Sequence, residues 1–309
     1  SKNISEEKLE RQNLHAGTTP EIRKSKLKRL INSKKIVRVL ESHSPLSGLI
    51  IEKLNMPSND EFIEFDCMWS SSLTDSTLRG KPDNQSVEYA TRINWINEIF
   101  EVTTKPLIFD ADNGGRTEHI KYIVSSLERI GASAIIMEDK IGLKKNSLFK
   151  NQKNAKQDSI KNFCKKLEVA TKSRKSDDFL IIARIESFIL GKGIDDALKR
   201  AKSYLKSGAD ALMIHSKLEN PKEVFAFSKK IKKFNEKVIL ISVPSTYSSV
   251  SEKQLIKNGF SMVIYANHLL RASIPAMINS AKKILSHQKS SVIEKDILKI
   301  SEILNLIQK

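Results

Sequence analysis

Along the chain, eight short runs rich in Ile, Val, Leu, Met or Phe end in polar residues, and most lead into a stretch with helical spacing. The runs are residues 36–40, 62–66, 106–112, 134–138, 180–186, 211–215, 238–243 and 262–267. Between them, 117–130 sets Ile120, Ile123, Val124, Leu127 and Ile130 on one helical face before Gly131 stops it. The pattern repeats over 194–206 ahead of Gly208, over 221–234 behind a proline suited to a helix entrance, and over 253–257 ahead of Asn258-Gly259. Near-continuous apolar strands alternating with helices predict a parallel sheet covered on both faces. An open doubly wound sheet and a closed barrel both satisfy that pattern. The count of eight favours the barrel, an α/β fold of the (β/α)8 TIM type. The second run differs from the rest, because 60–66 alternates acidic and aromatic residues as a half-exposed strand does. Residues 274–309 carry helical spacing without strands and predict a C-terminal helical extension, packed on its own subunit or crossing to a neighbour. Residues 1–20 are polar, lack periodicity and read as a flexible leader or tag remnant, which leaves 21–273 for the barrel.

Barrels of this kind carry their chemistry at the C-terminal ends of the strands. The polar run ends are Glu41 and His43, Asp66, Asp110 and Asp112, Glu138 and Asp139, Arg184 and Glu186, His215, Ser242, and Asn267 and His268. Carboxylates at buried strand ends cost free energy unless they bind something, so this rim predicts a site.

Composition narrows the class. A chain of 309 residues with 39% hydrophobic content suits one large domain. No apolar run reaches the roughly 18–20 residues of a membrane helix, and no secretory signal is expected in the polar, basic first thirty residues. Cys67 and Cys164 form neither a CxxC nor a Cys/His cluster. They read as small hydrophobes in a reducing compartment, which predicts a cytoplasmic protein. The net charge of +17 raises the prospect of a nucleic-acid or membrane partner. The excess is scattered lysine, and aromatics make up only 6%, so stacking platforms are missing. Solvated helix faces are expected instead, with a positive field that draws in a small polyanion.

Two segments carry candidate chemistry. Phe109-Asp110-Ala111-Asp112 closes the third run. Residues two apart on a strand face one side, and paired carboxylates repel unless a cation joins them. With Glu138 from the next run, the oxygen donors suit Mg²⁺, which keeps several waters of its own. The alternative is a strand end followed by an Asp helix cap. The second segment is Glu138-Asp139-Lys140-Ile141-Gly142-Leu143-Lys144-Lys145-Asn146-Ser147. A basic, polar loop behind acidic residues suits a lid that neutralises phosphoryl oxygens and excludes water. A solvated lysine-rich loop is the other reading.

These residues resemble the isocitrate lyase/phosphoenolpyruvate mutase superfamily. Its mutase branch carries a DxD strand and then a loop of the form EDKxxxKxNS. Glu138, Asp139, Lys140, Lys144, Asn146 and Ser147 match every fixed position. Further matches are Arg184 and Glu186 in Ile182-Ala183-Arg184-Ile185-Glu186, Gly208-Ala209-Asp210-Ala211, His215 in Ile214-His215-Ser216-Lys217, and Tyr265-Ala266-Asn267-His268 with Arg271-Ala272. The resemblance runs from about residue 25 onward.

It implies a Mg²⁺-dependent mutase that interconverts phosphoenolpyruvate and phosphonopyruvate, the entry step to phosphonate biosynthesis. It also implies a homodimer or homotetramer with a swapped C-terminal helix. Some enzyme consuming phosphonopyruvate is expected, since a carbon–phosphorus product lies uphill of an enol phosphate. Carried over, Asp110 is the direct metal ligand, and Asp112 and Glu138 hold its waters. Asp83 faces the phosphoryl group or those waters. Trp69, Ser71, Ser72 and Leu73 hold the carboxylate and enolate end. Lys144, Asn146, Ser147 and Arg184 hold the transferring group, with His215 beside them. For Arg184 and His215 a structural pair under the rim is the other reading. The related hydrolases typically carry Thr at the loop position of Asn146, and the related lyases carry a thiol in a KKCGH loop where this chain has Leu143-Lys144-Lys145-Asn146-Ser147. Two departures stand out: Ser72 where glycine is common, and Asn113-Gly114-Gly115-Arg116 where Thr-Gly-Tyr-Gly is expected.

Overall fold

The computed structural model describes residues 17–58, 61–148, 152 and 155–307, so most of the expected leader lies outside them. Helix α1 (Pro20–Ser33) is capped by Thr19, whose hydroxyl accepts the Ile22 amide at 3.3 Å. Then come β1 (Val37–Glu41), α2 (Pro45–Lys53) and an antiparallel hairpin of β2 (Asn55–Ser58) with β3 (Glu61–Glu64). Strand β4 (Cys67–Ser70), α3 (Ser72–Leu78) and α4 (Tyr89–Phe100) lead to β5 (Leu107–Asp110), α5 (Ile120–Ile130) and β6 (Ala134–Glu138). A short ribbon of β7 (Lys140–Ile141) and β8 (Lys156–Gln157) precedes α6 (Ile160–Ser173). The chain then alternates β9 (Leu180–Ile185), α7 (Gly193–Lys206), β10 (Ala211–Ile214), α8 (Lys222–Phe234), β11 (Ile239–Ser242), α9 (Glu252–Lys257) and β12 (Met262–Tyr265). It ends in α10 (His268–His287) and α11 (Ile300–Ile307).

Eight parallel strands close a barrel in the order β1-β12-β11-β10-β9-β6-β5-β4, as the alternating pattern predicts. The second strand is a correction. Residues 62–66 are not in the barrel: Phe62 is exposed in the hairpin, and Cys67–Ser70 is the buried strand beside β1. The alternation read as a half-exposed strand belongs to that hairpin, where the Glu64 carboxylate accepts from Lys105 at 2.7 Å. Asp66 is likewise no rim residue. It lies at the opposite end of the barrel, pairs with Lys34 and accepts the Arg38 amide at 2.8 Å.

Successive strand side chains point to opposite faces, so each strand feeds two cores. Phe109, Ile135, Ile181, Leu212, Leu240 and Val263 face outward under the helices. Val39, Cys67, Ile108, Ile136, Ile182, Met213 and Ile264 fill the lumen. The lumen core also takes Leu27 of α1, which has no exposed surface. Burying a leucine is worth about 1.5–3 kcal/mol. Helix α1 lies across the residues that enter the strands: Arg23 donates to the Thr103 carbonyl at 2.6 Å, Ser133 donates to the Arg23 carbonyl at 2.9 Å, and Lys28 donates to the Asp177 carbonyl at 3.0 Å. It therefore covers the N-terminal mouth. Gly131 at the end of α5 has φ +91°, and a Cβ there would stand 2.6 Å from Cα of Pro20. Only glycine lets α1 start so close.

Helix α10 runs unbroken past residue 273, with Pro275 inside it, and Leu285 and Ile300 stand exposed in the C-terminal region. Among the described residues, no helix is long and apolar enough to cross a membrane.

Candidate active site

The C-terminal strand ends converge on one pocket. Its lining includes Trp69, Ser71, Ser72, Leu73, Asp83, Asp110, Glu138, Lys144, Asn146, Ser147, Arg184 and His215. Of the site residues expected from sequence, only Asp112 is missing from that lining, and it sits directly behind, paired with the Lys144 ammonium. Strand β4 brings Trp69 to the pocket, and Ser71 caps α3 by accepting the Thr74 amide at 3.3 Å.

Asp110 ends β5 as predicted, but Asp112 does not share its strand. Asp112 has φ +51°, in a turn that continues through Gly114 at φ +78°. The turn folds back on the first carboxylate: the Asp112 amide donates to Asp110 Oδ1 at 3.1 Å. The two carboxylates meet through this turn rather than through strand alternation. A Cβ at Gly114 would lie 2.7 Å from Sδ of Met137, which explains a glycine immediately behind the site. Asn113 faces away from the pocket, holding Gln85 at 3.1 Å through its side chain and Lys166 at 2.7 Å through its carbonyl.

The loop after β6 closes over these groups. Lys144 reaches Asp112, Ser72 and, at 2.8 Å, Asp83. The Asn146 side chain donates to Asp83 at 2.9 Å. The Ser147 hydroxyl donates to Glu186 at 2.6 Å while accepting from Arg184 at 2.7 Å and Lys140 at 3.1 Å, which uses its full bonding capacity. Arg184 also pairs with Glu186 and, at 3.3 Å, with Glu138. It donates to Nδ1 of His215 at 3.2 Å. The same Nδ1 lies 3.4 Å from the Glu186 carboxylate, so the ring sits between the arginine and its acidic partner. Burial and the Arg184 charge both lower the His215 pKa, which favours the neutral ring.

Burial acts against every charge here, and the neighbours decide the outcome. Burial raises the Asp110 pKa, but Lys144, Arg184 and Arg92 outweigh it and hold the group at about 2. For Glu138, burial wins with help from Glu186 against the pull of Arg184, and the pKa rises to about 7. Burial lowers the Lys144 pKa, yet Asp112, Asp110 and Asp83 raise it above its ordinary value.

The carboxylates of Asp83, Asp110, Asp112, Glu138 and Glu186 face the cations of Lys140, Lys144 and Arg184. Among the described residues, no three His, Cys, Asp or Glu side chains converge tightly enough to ligate one ion directly. An all-oxygen set with few direct carboxylate ligands and the rest acting through water is what Mg²⁺ accepts. The residues present fit that ion, with Asp110 foremost.

Three contributors were given no role in the site by sequence, although two of them, Glu186 and Lys140, were noted at the rim and in the loop motif. Glu186 is fully buried at the centre of the loop contacts, and Lys140 donates to the Lys145 carbonyl at 2.7 Å. Both lie two residues past a chosen site residue, so strand alternation signals them. Arg92 of α4 gives no such signal. It is buried beneath β5, donating to the Asp110 carbonyl at 2.6 Å, the Ser70 carbonyl at 3.1 Å and the Asp75 carboxylate at 2.8 Å. Asp139, named with Glu138 as a polar end of its run, points the other way, where its carboxylate accepts from Tyr204 at 2.6 Å.

A closed parallel barrel whose charged pocket lies at the C-terminal strand ends has the site of a (β/α)8 enzyme. Comparison with known proteins gives the family. Residues 27–285 match the family model described as phosphoenolpyruvate phosphomutase, and the chain belongs to that family. It is 32% identical over 283 residues to the phosphoenolpyruvate phosphomutase of Tetrahymena pyriformis, covering 91% of this chain and 90% of the relative. It is also 32% identical over 255 residues to the phosphonopyruvate hydrolase of Variovorax sp., covering 81% and 83%. Among solved structures, a phosphoenolpyruvate phosphomutase from Streptomyces platensis subsp. rosaceus superposes with TM-score 0.83 at 30% identity, over 91% of this chain and 94% of the other. A phosphonopyruvate hydrolase in complex with oxalate and Mg²⁺ superposes with TM-score 0.81 at 29% identity, over 94% and 95%.

Proposed function

We propose that the protein interconverts phosphoenolpyruvate and phosphonopyruvate by moving the phosphoryl group within one molecule. The supporting observation is the seal made by the loop: Asn146 bonds Asp83, and Ser147 bonds Arg184 and Glu186, across the mouth of the pocket. A phosphoryl group in flight reacts with water unless water is kept out.

In this reading, Arg184, Lys144 and Asn146 hold the phosphoryl oxygens, joined by Ser147 when its hydroxyl exchanges Glu186 for one of them, and the planar fork of Arg184 is suited to two. Trp69, Ser71, Ser72 and Leu73 flank the pyruvoyl end. Mg²⁺, held by Asp110 and through water by Asp112 and Glu138, would supply positive charge to the carboxylate and enolate oxygens. The P–O bond of the enol phosphate breaks, the enolate turns within the pocket, and C3 forms the P–C bond. The two compounds are isomers, so no atom or proton enters or leaves. The neutral ring of His215 donates and does not need to titrate. The protein contributes positioning and charge stabilisation.

Apolar residues exposed on α10 and α11 support assembly with further copies as a homodimer or homotetramer. The carbon–phosphorus product lies uphill, so a second enzyme that consumes phosphonopyruvate belongs to the same scheme, placed in the cytoplasm. Hydrolysis of phosphonopyruvate is the second reading, carried by the 32% identity to the Variovorax enzyme.

The test is phosphorus NMR of the protein with phosphonopyruvate and Mg²⁺, beside an EDTA control. An enol-phosphate signal that EDTA abolishes supports the mutase. Free phosphate supports the hydrolase. Neither product would overturn both readings.

A further inference from the structure

The loop that seals the pocket is held by more than its contacts inside it. Its outgoing arm is β7 and its return arm is β8, paired antiparallel with Lys140 opposite Gln157. Strand alternation sends Glu138 and Lys140 toward the pocket and Asp139 away from it. Asp139 is fully buried. Its Oδ1 accepts the Glu186 amide at 2.9 Å, and its Oδ2 accepts from Tyr204 at 2.6 Å and from the Gln157 side chain at 3.0 Å. The Asp139 carbonyl also accepts the Asp158 amide at 2.7 Å. One residue thus joins the metal-side strand, the backbone of Glu186 and the return arm of the loop.

Among the described residues, Gln157 is the side chain that β8 contributes to this junction. Its Nε2 donates to Asp139 and, at 3.1 Å, to the Ser187 hydroxyl just past β9. Among the described residues, nothing donates to its buried Oε1. Gln157 does not line the pocket.

We propose that Gln157 is a positioning residue that latches the return arm of the loop to the barrel and so keeps water from the phosphoryl group held by Lys144, Asn146 and Ser147. This rests on the mutase reading. With the latch intact, the phosphoryl group passes to C3. With the latch released, the loop opens more often and water takes the group, so that phosphonopyruvate and water give pyruvate and phosphate.

The experiment compares the full-length parent with Gln157→Leu, which keeps the bulk and removes both donors, and with Ser187→Ala, which removes one acceptor. Two readouts separate the claims. Trypsin cleavage at Lys144 and Lys145, with phosphonopyruvate and Mg²⁺ present, reads the latch alone. Phosphorus NMR reads product. The expected result is cleavage at least fivefold faster in Gln157→Leu and a smaller rise in Ser187→Ala. A share of free phosphate several-fold above the parent's should accompany it, with unfolding midpoints close to the parent's. Unchanged cleavage and unchanged partition in folded variants would overturn the latch. If Gln157→Leu does not fold, Ser187→Ala carries the test by the same two readouts. Faster cleavage in variants of a parent that itself releases only phosphate would keep the latch and overturn the mutase reading beneath it.

Discussion

Ser72 and Asp110 are joined twice: the Ser72 amide and the Ser72 hydroxyl both donate to Oδ2 of Asp110, at 3.2 and 2.9 Å. The hydroxyl is the part that glycine, common at this position by family resemblance, does not have. It turns a backbone contact into a clasp on the carboxylate best placed to bind a cation.

Ser72→Gly should therefore lower stability in EDTA by up to about 1.5–3 kcal/mol, the value of a hydrogen bond to a charged group. Saturating Mg²⁺ should shrink that gap, because the cation takes up the freed oxygen. Urea unfolding of both proteins with and without Mg²⁺ measures it. A gap of the same size in both conditions would separate Ser72 from the cation.

The parent should gain stability from Mg²⁺ itself. A ligand at a hundred times its Kd adds about 2.7 kcal/mol, and Asp110→Asn should lose most of that gain. Thermal unfolding across a Mg²⁺ titration reads both. A flat titration for the parent would remove the ion from the site.

Arg92→Met should cost about 3–5 kcal/mol, because it strands the buried Asp75 carboxylate without its cation. The double substitution Arg92→Met with Asp75→Leu should recover part of the loss. Denaturant curves for the set decide this, and equal losses for single and double variants would speak against the pair.

Asn146→Ala should lower kcat by roughly a hundredfold, the scale of one lost transition-state donor. Asn146→Thr, which installs the residue typical of the related hydrolases, should divert product toward free phosphate. Phosphorus NMR of each variant gives the ratio. Full mutase activity in the alanine variant would release Asn146 from the role assigned to it.

Gly114→Ala should destabilise by roughly 1–3 kcal/mol, the cost of a strained positive-φ residue. The clash with Met137 should displace the turn that carries Asp112. Calorimetry gives the stability, and weakened Mg²⁺ binding reports the displacement.

Much of this was legible in the chain. Seven of the eight barrel strands follow from apolar runs, because a parallel strand buried on both faces must be apolar throughout. The second failed for the same reason in reverse. Cys67–Ser70 is only four residues long, and the louder alternating signal next to it belongs to a solvent-facing hairpin. The loop residues were readable because Lys144, Asn146 and Ser147 sit at fixed spacing behind Glu138. Asp112 was placed beside Asp110 for the wrong local reason, since a left-handed turn rather than a strand brings them together. Arg92 was hidden altogether. Its role depends on Asp75, Ser70 and the Asp110 carbonyl meeting it in space, and nothing in the spacing of α4 announces that.

The packed lumen, with Leu27 of helix α1 seated against it, leaves the C-terminal rim as the doorway for both reactant and product. They cannot pass each other in it. Each turnover then includes one departure before the next arrival. If that exchange sets the pace of the cycle, added solvent viscosity will slow it in proportion.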